Sequence, residues 1–263
     1  MLACDTHMHS YRSFVGDANM SFRHIAARAA ELAIDVVGIT DHLMKPGDIE
    51  DLKRTREELL GFRAGLKSPA LLFGVEVCEI APDGSTLLSP QLAEEMRFEV
   101  VIGGVHETHM PRGASLHDMA MTQHRHHIMM MENPLIGILV HPWWLDKDEF
   151  RRLRIEWPTD MSFVPEALTV ELAKASRRTN TYIEISAMSG LCNKDSSPQF
   201  KKDLLSYYRL LNREGALFAI GTDAHELSDI STFSAAADLV KAIGIDEGRI
   251  WQPNERSIRM DGE

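Results

Sequence analysis

Apolar residues gather in short dense runs, and amphipathic stretches of helical period separate them. Residues 36–39, 71–75, 100–105, 135–140 and 216–220 are almost wholly hydrophobic and short enough to read as buried strands. A shorter run, Leu2-Ala3-Cys4, leads into His7 and His9, and Tyr182-Ile183 opens another strand that carries Glu184. Between them, Ser21 stands as a helix N-cap before Phe22, Ile25, Ala26, Ala29, Leu32 and Ala33 at helical spacing. A charged amphipathic helix is predicted over 49–66, a short one from Ser89-Pro90, and a Met-rich one over 116–131. Further helices follow over 165–177, from Ser197-Pro198, and over 228–243, with a polar tail after them. The segment 142–180 is the longest connection. Strand and helix alternate throughout, which is the signature of βα units around a parallel sheet. The expected fold class is therefore α/β, with about seven strands against the eight of the usual barrel. No linker or composition break interrupts the pattern, so a single domain over 1–263 is expected.

Composition narrows the classes. Of 263 residues, 44% are hydrophobic and 25% charged, an ordinary globular balance. No window reaches the ~18 uninterrupted apolar residues of a membrane helix, and the N-terminus lacks a signal-peptide pattern, so a cytoplasmic protein with no membrane partner is expected. The formal net charge of -11 argues against binding long nucleic acid. It leaves room for a small phosphorylated substrate, because bound dications would reverse the local sign. Cys4, Cys78 and Cys192 are far apart and form no CxxC pair, which fits a reduced compartment.

The positions of the 12 histidines change the picture. His7 and His9 are two apart on an expected strand, and Asp223 and His225 repeat that spacing. His42, Glu76, His106 and His141 each stand where an apolar run stops. In parallel barrels the functional groups sit at the C-terminal ends of the strands, so these side chains should meet at one rim. Imidazoles mixed with carboxylates suit Zn, Mn or Fe, and an excess of donors implies two or three ions sharing a carboxylate. Asp5 and Asp41, one or two residues from ligands, are expected to orient imidazoles from behind. By contrast, His24, His117, His124, His126 and His127 read as packing or solvent residues. The methionines of the 116–131 helix read as gap-filling core, and Cys78 as a small buried hydrophobe. Trp143 and Trp144 either wall a pocket or pack under the long connection.

Six stretches together resemble one known family, the PHP (polymerase and histidinol phosphatase) superfamily of metal-dependent phosphoesterases. They are Asp5-Thr6-His7-Met8-His9-Ser10, Gly38-Ile39-Thr40-Asp41-His42, Gly74-Val75-Glu76, Gly104-Val105-His106, Val140-His141-Pro142 and Gly221-Thr222-Asp223-Ala224-His225. The resemblance implies a distorted seven-stranded (β/α)7 TIM-like barrel of the PHP type. It implies a first ion held by His7, His9, Glu76 and Asp223, and a second by Glu76, His106 and His141, with Glu76 bridging. His42 and His225 match two ligands of a third. It further implies hydrolysis of a small phosphomonoester or nucleotide-like phosphoester by a metal-bridging hydroxide, with Asp223 and His225 in catalytic positions. His225 is a candidate proton donor to the leaving alkoxide. The family pattern supplies one more His shortly after the first pair. Here the loop from Ser10 to Asp17 has none, which favours two ions over three, with Asp17 or His109 as substitutes.

Arg12, Lys45, Arg112 and Lys194 follow metal-bearing strands and are candidate phosphate contacts, because Arg and Lys suit phosphate oxygens. Glu184 joins them as a candidate at the rim or as a structural hydrogen-bond acceptor. The alternative functions are an amidohydrolase-like attack at a carbonyl carbon, or a non-catalytic metal-binding module.

Overall fold

The computed structural model describes residues 3–78 and 80–253. Eight parallel strands form one sheet: β1 (Cys4–Met8), β2 (Val36–Ile39), β3 (His42–Leu43), β4 (Ala70–Val77), β5 (Val100–Gly103), β6 (Ile138–Leu139), β7 (Tyr182–Ser186) and β8 (Phe218–Gly221). Their order is β1-β2-β4-β5-β6-β7-β8, and β3 pairs β4 beyond the end of β2. Thr40-Asp41 interrupts what is otherwise one stave, so the barrel has seven staves, as the sequence pattern implies. Between them run α1 (Phe22–Glu31), α2 (Asp48–Arg63), α3 (Pro90–Met96), α4 (Leu116–Glu132), α5 (Lys147–Leu153), α6 (Glu166–Thr179) and α7 (Pro198–Arg213), and α8 (Phe233–Ile243) follows β8.

Local signals set most helix starts. Ser21, Ser89, Ser115 and Ser197 each accept a first-turn N–H, and Pro90 and Pro198 occupy the first turn, where a missing N–H costs nothing. Some expected boundaries move. The fifth expected strand shortens to Ile138–Leu139, and the final helix begins only at Phe233, after a 3-10 turn over Asp229–Thr232. Helix α5 appears inside the long connection, capped by Asp146, whose carboxylate accepts the N–H groups of Asp148 and Glu149. Leu2, expected to open the first strand, and residues 254–263 of the expected polar tail lie outside the described residues. No described helix is long and apolar enough to cross a membrane.

The strands carry two apolar faces. Cys4, Val36, Leu72, Val100, Ile102, Ile138, Val140 and Ala219 pack on one another from six staves, which places them inside the barrel. Their neighbours Val37, Phe73, Leu139, Ile183 and Phe218 join the larger core under the helices. Side chains alternate along a strand. Counting up in twos from the interior residues reaches Gly74 and Glu76, Gly104 and His106, and Gly221 and Asp223, at the same end of the barrel.

The last gap, between β8 and β1, has no continuous ladder. It is closed by a Met8–Ala224 bridge, by the N–H of Asp223 donating to His7 O (2.9 Å) and by that of His9 donating to Ala224 O (3.0 Å). Asp5 helps to fasten this seam, because its Oδ1 accepts the N–H groups of Thr222 (3.0 Å) and His7 (3.2 Å).

Candidate metal centre

Three backbone devices turn ligands inward. Cys4 points into the barrel and Met8 outward, although four residues of regular strand would leave them on one face. The register shift between Asp5 and Met8 absorbs the difference and brings His7 to the interior, the usual effect of a bulge. His141 and Asp223 adopt positive φ, 30° and 58°, a conformation that costs a non-glycine residue about 1–3 kcal/mol and clusters at functional sites. Gly104 and Gly221 clear the layer beneath. A Cβ on Gly104 would stand 2.5 Å from His141 Cε1 and 2.9 Å from Glu76 Oε1, and one on Gly221 would overlap Glu184 Oε1.

These devices gather His7, His9, His42, Glu76, His106, His141, Asp223 and His225 into one cluster. His7 Nε2 lies 3.2 Å from His9 Nε2, 3.2 Å from Glu76 Oε2 and 3.4 Å from Asp223 Oδ1. His9 Nε2 is 3.5 Å from Glu76 Oε2 and 3.3 Å from Asp223 Oδ1. A tetrahedral ion with bonds of about 2.0–2.1 Å has ligand–ligand edges of roughly 3.3–3.4 Å. His7, His9 and Glu76 therefore have the mutual spacing that one such ion requires, and Asp223 stands at like distances from both imidazoles. The other carboxylate oxygen, Glu76 Oε1, lies 3.0 Å from His141 Nε2 and 3.4 Å from His106 Nε2, so Glu76 stands between two donor sets. His42 Nε2 approaches Glu76 Oε2 at 3.1 Å, and the rings of His9, His42 and His225 stack.

The imidazoles are held with Nε2 toward the cluster. Glu184 Oε1 is 2.9 Å from His7 Nδ1, Ser13 Oγ is 2.9 Å from His42 Nδ1, and Cys78 O is 3.3 Å from His106 Nδ1. The Glu184 carboxylate and the Cys78 carbonyl only accept, so they hold the tautomer of His7 and His106 that leaves Nε2 free to coordinate, while the Ser13 hydroxyl positions the His42 ring. Glu184 also accepts the His141 N–H through Oε2 (2.7 Å).

Charge follows the same logic. Glu76, Glu184, Asp5, Asp41 and Asp223 are all buried here, and Arg63, the buried cation of the described chain, pairs instead with Glu99. Burial opposes a charge on His7, yet Glu184, Asp223 and Glu76 outweigh it and lift its pKa well above the ordinary imidazole value. Burial would raise Glu76, but His42, His7 and His106 hold it well below the carboxylate range, and Asp223 is likewise held low by His7 and His9 against burial. The cluster thus draws in positive charge, which a divalent ion would supply.

Other sequence expectations need correction. Among the described residues, no hydrogen bond joins the Asp5 or Asp41 carboxylate to an imidazole. Asp5 holds the seam, where burial pushes its carboxyl up to about 7, and Asp41 accepts from Ser10 N (2.7 Å), Ser10 Oγ (2.7 Å) and Thr55 Oγ1 (3.0 Å). The orienting carboxylate is Glu184, which is fully buried and so is no substrate contact. Arg12 is paired with Glu58 on α2, at 3.0 Å from Nε, yet it lines the same cavity beside His42 as Lys45. Arg112 and Lys194 are exposed, with no contact to the cluster among the described residues, while Lys45 lines a cavity of about 300 Å³ beside His42. Burial and His9 bring the His225 pKa down to about 4, so it is neutral at pH 7 and ill suited to donate a proton. Neither proposed substitute ligand arrives. Asp17 Oδ1 accepts from Asn19 N, His109 lies beside Glu107, and the Phe14 ring stands 4.9 Å from that of His42. Cys78 lies among His42, Glu76 and His106, but burial keeps it a thiol, and its Sγ donates to Glu76 O.

Comparison with known proteins places this architecture. A family model described as PHP domain matches residues 5–209. A probable phosphatase of Syntrophotalea carbinolica is 28% identical over 247 residues, covering 92% of this chain and 88% of that protein. A probable phosphatase of Clostridium botulinum is 26% identical over 255 residues, covering 97% and 91%. Among solved structures, histidinol phosphate phosphatase from Lactococcus lactis, complexed with Zn, L-histidinol and phosphate, superposes with a TM-score of 0.63 at 17% identity, covering 94% of this chain and 95% of its own. A putative histidinol phosphatase from Listeria monocytogenes gives 0.66 at 12%, covering 86% and 97%. At such identities these two show the fold.

Proposed function

The chain belongs to the PHP domain family, and on that premise we propose that it is a metal-dependent phosphoesterase acting on a small phosphorylated substrate. The observation that carries the reading is the division of Glu76, one oxygen facing His7, His9 and His42 and the other facing His106 and His141. We assign two divalent ions, Zn, Mn or Fe: the first to His7, His9, Glu76 and Asp223, the second to Glu76, His106 and His141. When bound, such ions supply a water acidic enough to attack at neutral pH and positive charge to offset the phosphoryl oxygens. The curated relatives named as phosphatases, and the zinc and phosphate in the Lactococcus lactis structure, support the same reading.

The chain's own residues do the positioning. Glu184 and Ser13 fix His7 and His42, and His141 is tied by its backbone to Glu184. His225, at 38% the most exposed imidazole of the cluster, and Asp223 at 12% mark the open side from which a phosphoryl group would enter. His225 meets it unprotonated, as a ligand or as a proton acceptor at Nε2. Trp144, with its ring 5.4 Å from His106 and 5.9 Å from His141, walls the other side.

The test is phosphate release from p-nitrophenyl phosphate and a panel of phosphomonoesters, with protein loaded in turn with Zn, Mn and Fe. Asp223→Asn should abolish turnover and weaken metal retention. Hydrolysis of amides, lactones or carboxylic esters without phosphate release under any metal would replace this reading with attack at a carbonyl carbon.

A further inference from the structure

We propose that Phe14 forms a stacking wall for the leaving group, so that the preferred substrate is a phosphomonoester of a flat ring-bearing alcohol, such as an aryl or nucleoside phosphate. This inference rests on the phosphoesterase reading and adds the substrate's class to it.

Phe14 is 65% exposed, and Val15 beside it is 38% exposed. Among the described residues, the third large exposed hydrophobic is Met121, on α4. Two of the three therefore sit side by side on the loop that follows the first ligand pair. Single exposed apolar residues are ordinary, whereas an apolar pair rimmed by polar groups next to a reactive centre marks a contact surface. The Phe14 ring is 4.9 Å from the His42 ring, and both line the 300 Å³ cavity with Lys45, Asp51 and Leu52. That volume is at the small end of ligand pockets and suits one ring system attached to a phosphate held at the cluster.

The loop backbone is hydrogen-bonded on both sides of Phe14, and Ser10 and Ser13 are buried while Phe14 is not. The N–H of Ser13 donates to Ser10 O, that of Gly16 to Ser13 O and that of Asp17 to His225 O, and Ser10 is fastened to Asp41. A Cβ on Gly16 would overlap the Ser10 carbonyl, which shows how closely the turn folds back. Phe14 thus projects from a hydrogen-bonded turn with its ring against that of His42, and an aromatic side chain with only two rotatable bonds loses little entropy when a ring stacks on it.

Stacking on one aromatic residue is worth about five- to tenfold or more in affinity. Manganese-loaded wild type should therefore favour p-nitrophenyl phosphate and adenosine 5'-monophosphate over glycerol 1-phosphate. Phe14→Ala should lower that ratio of kcat/KM by about tenfold, mainly through KM, while Phe14→Trp restores it and Met121→Ala leaves it unchanged. Binding without turnover gives an independent readout. Equilibrium dialysis should show phenylphosphonate held more tightly than methylphosphonate by wild type and about equally by Phe14→Ala. If no phosphomonoester is cleaved under any metal but this binding preference is present, the phosphoesterase reading fails and the ring site stands. A Phe14→Ala ratio equal to wild type, or a preference abolished by Trp144→Ala instead, overturns the proposal.

Discussion

Replacing Glu184 by Gln tests the metal centre through a residue that need not touch an ion. In the native chain one carboxylate oxygen faces His7 Nδ1 at 2.9 Å and the other accepts the His141 N–H at 2.7 Å. Both partners are donors, and a Gln amide has a single acceptor oxygen. If that oxygen keeps His141, the amide NH₂ faces His7 Nδ1, and His7 must adopt the tautomer protonated at Nε2, which cannot coordinate. If it keeps His7 instead, the NH₂ opposes the His141 N–H and the positive-φ turn that delivers His141 loses its tie. Either way one of the two donor sets loses an imidazole. Loss of an orienting partner behind a metal-bound His typically costs 10–100-fold in affinity, or about 1.4–2.7 kcal/mol. The opposed buried donors cost the metal-free fold about 1–3 kcal/mol as well, roughly 2–12 °C in Tm for a chain of this size. Competition against a chromophoric chelator would measure the first quantity and a thermal melt in chelator the second. Zinc affinity within twofold of wild type would refute the reasoning, because Glu184 would then be a passive core acid.

Three further outcomes follow from the same geometry. Gly221→Ala places a methyl against Glu184 Oε1 and His7 Cβ, so it should lower stability by about 1–3 kcal/mol and weaken metal binding; melting and zinc affinity matching wild type would contradict the close packing. Adding zinc or manganese to chelated protein at about 100 times Kd should raise stability by about 2.7 kcal/mol, read as a concentration-dependent Tm, and a Tm indifferent to metal would count against a native-state site. His127 is buried beside His124, His126 and His141, and burial followed by these neighbours depresses its pKa well below the ordinary 6.5. The unfolded chain therefore binds the extra proton first as pH falls, so this group removes stability below pH 6.5 at up to about 1.4 kcal/mol per pH unit. Urea titrations from pH 7.5 to 5 should show that loss reduced in His127→Leu, and parallel curves for the two proteins would be the contrary result.

Most of the proposed ligand set was legible because a charged or imidazole group ending an apolar run has few roles other than a rim site. The glycine two residues ahead of Glu76, His106 and Asp223 was visible as well, since the spacing follows from side-chain alternation. What lay behind the ligands was not. Asp5 and Asp41 are adjacent in sequence to histidines, but their oxygens went to backbone N–H groups and hydroxyls, whereas Glu184, far from His7 along the chain, became its partner. Pairing across the barrel depends on which staves are neighbours, and that is set only when the sheet closes. The pairing of Arg12 was hidden for a related reason: α2 brings Glu58 within its reach, so a guanidinium expected to be free is already paired beside the cavity that His42 lines. The role of Ser13 had no signal beyond its place in a polar loop, and helix α5 was marked in advance only by Asp146 two residues ahead of Asp148 and three ahead of Glu149.

The seam between the first and last strands has a consequence for biogenesis. His7 emerges from the ribosome long before Asp223, yet their backbones bond directly and their side chains approach within one donor cluster. A nascent or truncated polypeptide that stops short of β8 can offer paired imidazoles but never the full set of donors. On the proposed assignment, tight ion capture should wait until the final stave docks, and metal content should then report whether a chain has closed the ring.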